Sequence, residues 1–240
     1  MYSYLLFLLI LLPCLAFSAW ASAKVNSTYA AYDKVPNKSS MTGYDAATRL
    51  MHNRGVWDIT VNRVGGNLTD HYHPRNKEVN LSMSTYGSAS VAAVAVAAHE
   101  IGHVMQKQEG YIPYKIRNVL VPVTNVGSRL ALPVIIVGLL LDTLLATTGS
   151  YGEIVVYIGI ALYGLSTLFM LATLPVEFNA SRRARKMLVQ DGILMKDEEE
   201  GAKKVLFAAA LTYVASLLIS LVYFLRLVLV LLSLMGKRKN

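Results

Sequence analysis

The chain has 240 residues, of which 54% are hydrophobic and only 16% are charged, and its mean hydropathy is +0.43. A soluble domain would be about a quarter charged, so the composition excludes an ordinary soluble protein and predicts membrane-spanning segments. The net charge is +8, but the basic residues form no patch interleaved with aromatic side chains, so no nucleic-acid partner is expected. The single cysteine, Cys14, excludes an intramolecular disulfide and a cysteine-based metal site.

The chain begins with an apolar segment, residues 4–23, that carries no charge. Its length predicts a first transmembrane helix. A cleaved signal peptide is the alternative, since residues 21–23 resemble a small-residue cleavage site, but the segment lacks the basic start that such signals carry. The following residues 24–40 are polar and irregular, which predicts a linker or an extended arm.

Short elements of mixed type follow. The spacing predicts a helix over residues 42–53, a strand over 56–64, a turn at 65–67, a polar segment at 70–75 with His71 and His73, and a half-buried strand over 78–83. These elements predict a small sheet beside the next helix. An edge strand of such a sheet can bind an extended peptide through main-chain hydrogen bonds, which is a hypothesis about substrate.

The next helix carries the most informative residues of the chain. Residues 88–98 are rich in Ala and Val and continue into His99-Glu100-Ile101-Gly102-His103. Positions i and i+4 share one face of a helix, so both imidazoles can reach one metal ion while Glu100 stands beside them. This H-E-x-x-H pattern is typical of zinc metallopeptidases, with the glutamate as general base. Two satisfied core histidines are the alternative, but three buried ionisable groups are costly without a metal ion.

The second half of the chain is mostly apolar. Residues 130–148 and 154–174 predict two transmembrane helices joined by the short connection 149–153, and residues 175–204 are charged. Residues 205–234 are too long for one span of about twenty residues and too short for two. We therefore expect this stretch to pack partly against the soluble domain or to be partly re-entrant.

A catalytic zinc ion needs a third protein ligand. The metzincin pattern would place a histidine at position 109, where the chain has Glu109, so that class is excluded. The remaining candidates are His71, His73, Glu109 and Glu177. The predicted hairpin returns the chain to the side it left. Glu177, on a second helix starting at Pro175, is therefore expected on the same face of the membrane as the metal helix. A surface ion pair of Glu177 with Arg182 or Arg183 is the alternative.

Two segments of the chain resemble a known family. Ala-Ala-His-Glu-Ile-Gly-His at 97–103 and Glu-Phe-Asn-Ala-Ser-Arg-Arg-Ala at 177–184 are similar to the YugP-type membrane zinc metallopeptidases of bacteria, and the resemblance covers nearly the whole chain. That family resembles the larger HtpX-type gluzincins, whose second motif is E-x-x-x-D. The chain has Ser181 at the last position of this motif, and it has Asn179 where an acid is more usual. Both departures affect the residues expected to hydrogen-bond the ligand histidines.

These patterns and the resemblance predict a mainly α membrane protein with about four transmembrane segments and a small α+β zincin-like metallopeptidase domain. The expected organisation is a transmembrane helix at 1–23, the metallopeptidase domain at 24–129, a transmembrane hairpin at 130–174, the third-ligand helix at 175–204 and a C-terminal apolar segment with a basic tail at 205–240.

The expected function is that of a membrane-embedded zinc endopeptidase. One zinc ion would be held by His99, His103 and Glu177, and Glu100 would be the general base. Residues that could contact the oxyanion or the substrate are His71, Tyr72 and Arg182. The expected partners are protein or peptide substrates, including membrane proteins, and the lipid bilayer. A non-enzymatic membrane scaffold or adaptor with a structural metal site is the alternative.

The distribution of basic residues predicts the side of the membrane. Residues 24–129 contain twelve Lys and Arg and residues 175–204 contain seven, whereas the connection 149–153 contains none. The positive-inside rule therefore predicts a multi-pass protein of the bacterial cell membrane with the metal site in the cytoplasm. The tail Lys237-Arg238-Lys239 opposes this topology if the last segment spans once, and a re-entrant segment would remove the conflict.

Overall fold

A computed structural model describes residues 2–144 and 151–238. Within them the protein is mainly helical, with a small sheet. The elements are α1 (Tyr2–Asp33), α2 (Gly43–His52), β1 (Thr60–Val64), β2 (His71–His73), β3 (Glu78–Ser82), α3 (Met83–Tyr86), α4 (Val91–Gln108), α5 (Ile112–Leu144), α6 (Tyr151–Gln190) and α7 (Glu199–Arg238). The end of the predicted second span and the start of the connection after it, residues 145–150, lie outside the described residues.

Among the described residues, four helices are long and apolar enough to cross a membrane. The qualifying segments are Tyr4–Asp33, Ile112–Leu141, Tyr151–Gln190 and Glu199–Ser233, in α1, α5, α6 and α7. The predicted fold class, mainly α with a small sheet and about four membrane segments, is confirmed.

The chain divides into two compact units. We call Met1–Ser18, Lys115–Thr173 and Tyr213–Asn240 the helical unit, and Ala19–Tyr114 with Leu174–Thr212 the mixed unit. All three strands and the H-E-x-x-H helix belong to the mixed unit, so the description of the site concerns that unit alone.

The sheet of the mixed unit has three strands in the order β1-β3-β2. β1 pairs in parallel with β3, with Thr60 opposite Glu78, and β2 pairs antiparallel with β3, with His71 opposite Asn80. The predicted strand at 56–64 begins later, at Thr60, and the polar segment at 70–75 contains a strand that its composition did not indicate. β3 is buried on both faces from Val79 to Ser82, not half-buried as predicted, because it is the central strand.

The core of the mixed unit forms where α2, α4 and the last turns of α6 pack together. Leu50 of α2, Ile101 of α4 and Leu188 of α6 are fully buried there. α2 begins with a capping box in which Thr42 and Asp45 exchange hydrogen bonds. α4 begins at Val91, where the Ser90 hydroxyl accepts from the Ala93 amide, and it confirms the predicted buried helix.

The predicted linker at residues 24–40 is wrong for residues 24–33, because α1 continues to Asp33, and is confirmed for residues 34–40, which are irregular. No glycine or proline interrupts this stretch before Pro36. Tyr29 is buried against Ala92 and Val205, and its hydroxyl donates to the Ser84 carbonyl at 3.0 Å. Tertiary packing of the tyrosine thus stabilises a helix that the polar composition did not favour.

Two further expectations on the C-terminal half need correction. Pro175 does not start a helix, since it lies inside α6. A proline removes one helical hydrogen bond. The residues that follow it, Val176 and Ala180, are fully buried, and this packing stabilises the helix after the proline. The re-entrant segment is also wrong, because α7 is continuous from Glu199 to Arg238. The expected packing of part of residues 205–234 against the rest of the soluble domain is confirmed, since Leu206 belongs to the mixed-unit core.

A half-buried ion pair joins α2 to the end of α6. Arg54 lies 2.7 Å from Asp191, and the side chains are 18% and 12% exposed. Asn53 also donates to Asp191, at 3.1 Å. Burial alone would raise the pKa of Asp191, but the hydrogen bonds from Arg54 and Asn53 outweigh it and hold the pKa below its usual value.

The substitution Asp191→Asn should therefore lower the free energy of unfolding at pH 7 by roughly 1–3 kcal/mol, as for a hydrogen bond to a charged group. A carboxylate with a depressed pKa stabilises the fold above its unfolded value, near 3.9, and loses this contribution as the pH falls further. The difference between the two proteins should thus shrink below about pH 4. Thermal unfolding in detergent measures it, with Asp197→Asn as control because the Lys38–Asp197 pair is exposed. An equal loss of stability in both variants at pH 7 would show that the half-buried Arg54–Asp191 pair contributes no more than an exposed one.

Candidate metal centre

The two histidines of the H-E-x-x-H motif lie side by side on α4. Their ring centroids are 4.7 Å apart and the rings are almost perpendicular. The His99 side chain is 15% exposed and that of His103 is 9% exposed. Both imidazoles therefore stand in a largely desolvated place, on a helix whose other buried positions are mostly Ala and Val.

Glu177 of α6 completes the group. Its Oε2 lies 3.1 Å from Nε2 of His99 and 3.5 Å from Nε2 of His103, and its side chain is 2% exposed. The candidate ligand atoms of the three residues all lie within 4.8 Å of one another. The structure thus brings together the three residues that the sequence proposed as metal ligands.

The donor set and its spacing fit a zinc ion. Tetrahedral zinc with bonds of about 2.0–2.2 Å to nitrogen and oxygen places its ligand atoms about 3.3 Å apart. The observed separations of 3.1 and 3.5 Å lie on either side of this value. Two imidazoles and one carboxylate are also a usual ligand set of catalytic zinc.

A glycine allows α4 and α6 to approach closely at this centre. A Cβ atom built on Gly102 would lie 2.7 Å from the carbonyl oxygen of Ala180. Gly102 lies between Glu100 and His103 in sequence, and Ala180 follows Glu177 by three residues, so the close approach occurs beside the candidate ligands. Any larger residue at position 102 has to displace one helix.

Both histidines have partners for the ring nitrogen that faces away from Glu177. Nδ1 of His103 lies 3.0 Å from Oε1 of Gln106, and Nδ1 of His99 lies 3.2 Å from Oγ of Ser181. Ser181 thus occupies the place of the acid in the related motif. The sequence interpretation missed Gln106 as a partner. Its only signal was the i, i+3 spacing from His103 on one helix.

Glu100 is 7% exposed and lies next to this group. Burial raises the pKa of Glu100 to about 7, since the charged carboxylate loses hydration, while His99 opposes the shift. Glu177, Asp70 and His71 also interact with it electrostatically. Glu100 therefore lies near both the candidate ligands and the N-terminal end of β2.

The other candidates for the third ligand lie elsewhere. His71 contacts the Thr69 carbonyl and the Asn80 amide through its two ring nitrogens. His73 accepts from the Asn76 amide. Glu109 forms an ion pair with Arg183 at 2.7 Å. Within the described part of the chain, only His99, His103 and Glu177 form a cluster that could hold a metal ion.

The residues proposed for oxyanion or substrate contacts are spread around the site. His71 lies within electrostatic range of Glu100. Tyr72 is half-buried beneath Lys107, whose Nζ is 5.9 Å from the ring centre, and burial raises the pKa of Tyr72 to about 12. Arg182 is exposed on α6. A residue that the sequence did not single out, the buried Tyr114, has its ring 6.3 Å from that of His103.

Fold and site together define a class: a protein whose described residues include four helices of membrane-spanning length and a His-His-Glu cluster that could hold a metal ion. Comparison with known sequences agrees with this class. The chain belongs to the family described as "Putative neutral zinc metallopeptidase", whose sequence profile matches residues 7–232.

A relative supports the same assignment. The chain is 41% identical over 236 residues to the "Putative membrane protease YugP" of Bacillus subtilis (strain 168), which covers 98% of this chain and the whole of that protein. No solved structure matches the chain. The resemblance to YugP-type proteins that the motifs indicated is confirmed.

The substitution Gly102→Ala should weaken the metal centre. Forcing a methyl group against the Ala180 carbonyl costs about 1–3 kcal/mol, and each 1.4 kcal/mol corresponds to a tenfold change in affinity. Zinc affinity, measured by competition with a chromophoric chelator, should therefore fall by roughly tenfold. Gly87→Ala is the matched control, because a Cβ there meets nothing within 4 Å. Wild-type affinity in the Gly102 variant would show that the close approach does not position the ligands.

Proposed function

We propose that the protein is a membrane-embedded, zinc-dependent endopeptidase with one zinc ion on His99, His103 and Glu177. The observation that carries the proposal is the convergence of two imidazole nitrogens and one carboxylate oxygen within 4.8 Å. Its support is threefold: the donor spacing suits zinc, the family is one of zinc metallopeptidases, and the chain has four helices that could span a membrane.

The protein's own residues divide the chemical work. When bound, zinc supplies Lewis acidity that activates water and polarises the scissile carbonyl. Glu100 takes the proton of the attacking water and later delivers it to the leaving amine. Its place on α4, immediately after His99, keeps its carboxyl group beside the ligand face. His71, Tyr72 and Arg182 are the candidates for contacts with the oxyanion or the substrate.

The sheet offers a place for an extended peptide. β2 is an edge strand that pairs with β3 on one side, and it lies against α4. A peptide that adds to the edge of β2 would form main-chain hydrogen bonds there, close to Glu100. The proposed substrates are proteins or peptides, including membrane proteins and their fragments.

The number of candidate ligands favours an enzyme over a scaffold with a structural ion. Structural zinc sites are usually closed by four protein ligands, whereas catalytic sites use three. The cluster found among the described residues has three members. This count supports hydrolysis.

We further propose that the metal centre faces the cytoplasm of a bacterial cell. The nineteen Lys and Arg in residues 24–129 and 175–204, against none in 149–153, support this orientation. The continuous α7 would place the three basic residues near its end on the opposite face. These three basic residues oppose the proposed orientation, but they are fewer than the nineteen that favour it.

The substitution Glu100→Gln tests the proposed general base. It should leave zinc bound at one equivalent and reduce hydrolysis by about 10²–10⁴-fold, because the amide cannot accept the proton of water. The measurements are metal analysis and cleavage of fluorescently labelled casein in detergent. Glu200→Gln is the control, since this exposed carboxylate pairs only at the surface with Lys203. Unchanged cleavage by the Glu100 variant would refute the role.

The substitution Glu177→Ala tests the third ligand. Loss of the carboxylate should lower zinc occupancy well below one ion per chain after dialysis, while Glu200→Ala should keep full occupancy. Thermal unfolding of both variants without metal separates loss of a ligand from loss of the fold. Full occupancy in the Glu177 variant would remove this residue from the ligand set.

A further inference from the structure

A chain of buried hydrogen bonds extends from His103 into α6. Nδ1 of His103 lies 3.0 Å from Oε1 of Gln106. The amide nitrogen of Gln106 donates to the Val176 carbonyl at 2.8 Å and to Oδ1 of Asn179 at 3.0 Å. Gln106 is fully buried. The side-chain amide of Gln106 can rotate by 180° and exchange its oxygen and nitrogen only if it loses both donated hydrogen bonds, which is costly in a buried place.

The donor and acceptor of each hydrogen bond in this series follow from Arg183, at the end farthest from His103. Nε of Arg183 donates to Oδ1 of Asn179 at 2.7 Å, and a guanidinium can only donate. Asn179 must therefore present its oxygen, and so does the Val176 carbonyl. Both acceptors require the NH₂ group of Gln106, which leaves its oxygen for His103.

This direction determines where the proton of His103 resides. Oε1 of Gln106 can only accept and lies 3.0 Å from Nδ1 of His103, whereas the Glu177 carboxylate lies 3.5 Å from Nε2, so the shorter contact places the hydrogen of neutral His103 on Nδ1. Nε2 then has a free lone pair, and it is the nitrogen that faces Glu177 at 3.5 Å. The imidazole is thus held in the tautomer that can ligate a metal ion, before any ion binds.

His99 lacks such a directional partner. Its Nδ1 contacts the Ser181 hydroxyl at 3.2 Å, and a hydroxyl can donate or accept. Ser181 therefore tolerates both tautomers of His99. The two histidines of the motif differ in their outer hydrogen bonds, although the motif itself is symmetric.

We propose that Gln106 is a positioning residue, which Asn179 and Arg183 orient so that it fixes His103 in the metal-binding tautomer. The inference rests on the proposed zinc site and deepens it: Gln106 acts on zinc affinity through His103 and does not touch the substrate. Asn179 thus acts on His103 indirectly, by orienting the Gln106 amide of α4 that is the partner of His103.

The first test needs no substitution. Nitrogen NMR of the metal-free wild-type protein, labelled at its five histidines, reports which ring nitrogen carries the proton, with His103→Gln assigning the resonance. We expect neutral His103 to be protonated at Nδ1. Protonation of His103 at Nε2, or an even mixture of tautomers, would overturn the proposal.

The second test compares Gln106→Met with Ser181→Ala. Gln106→Met keeps the volume and removes the acceptor, so zinc affinity should fall by about 10–100-fold, the usual cost of losing such a partner. Ser181→Ala should change it by less than about threefold, because the hydroxyl selects no tautomer. Equal losses in both variants, or none in Gln106→Met, would contradict the proposal. If Gln106→Met does not fold, the wild-type NMR result decides alone.

These outcomes are separable from those of the proposed function. Wild-type protein that binds zinc tightly, loses affinity in Gln106→Met and cleaves no substrate would refute the peptidase and retain the positioning role. If the wild-type protein cleaves substrate and Gln106→Met binds zinc as tightly as wild type, the positioning role is refuted and the peptidase is retained.

Discussion

The metal centre depends on the close approach of α4 and α6 beside Gly102. Two histidines of α4 can share an ion with a glutamate of α6 only if the two backbones come closer than most side chains permit. The facing positions are accordingly small: Ala98 of α4 and Ala180 and Ala184 of α6 are all fully buried. The apolar packing of these helices supplies the stability, and the absent Cβ of Gly102 leaves room for the Ala180 carbonyl.

The same approach accounts for the polar groups around the centre. Three ionisable side chains in a core of Ala and Val would be costly to bury alone. Here they face one another, and the outer nitrogens of the imidazoles have Gln106 and Ser181 as partners. Glu100 lies beside them on α4 and interacts electrostatically with His71 of β2. Among the described residues, the candidate ligands therefore come from two helices, and none comes from the sheet.

The metal helix and the membrane segments could be predicted from the sequence, because each is encoded in a local pattern: H-E-x-x-H on an Ala-rich helix and long apolar runs. Glu177 could be named as the third ligand because the hairpin places it on the side of the metal helix and because its segment resembles the second motif of the family. The extension of α1 to Asp33, the strand at 71–73 and the continuity of α6 through Pro175 could not be predicted. They depend on packing between distant segments, as does the role of Gln106, whose amide is oriented by residues some seventy positions away.

The most direct test of the account is to locate the ion. Anomalous diffraction at the zinc absorption edge, from crystals of the zinc-loaded wild-type protein, should give one strong peak per chain, within bonding distance of Nε2 of His99, Nε2 of His103 and a carboxylate oxygen of Glu177. A peak elsewhere, or one coordinated through Nδ1 of His103, would contradict both the proposed site and the way in which the fold builds it.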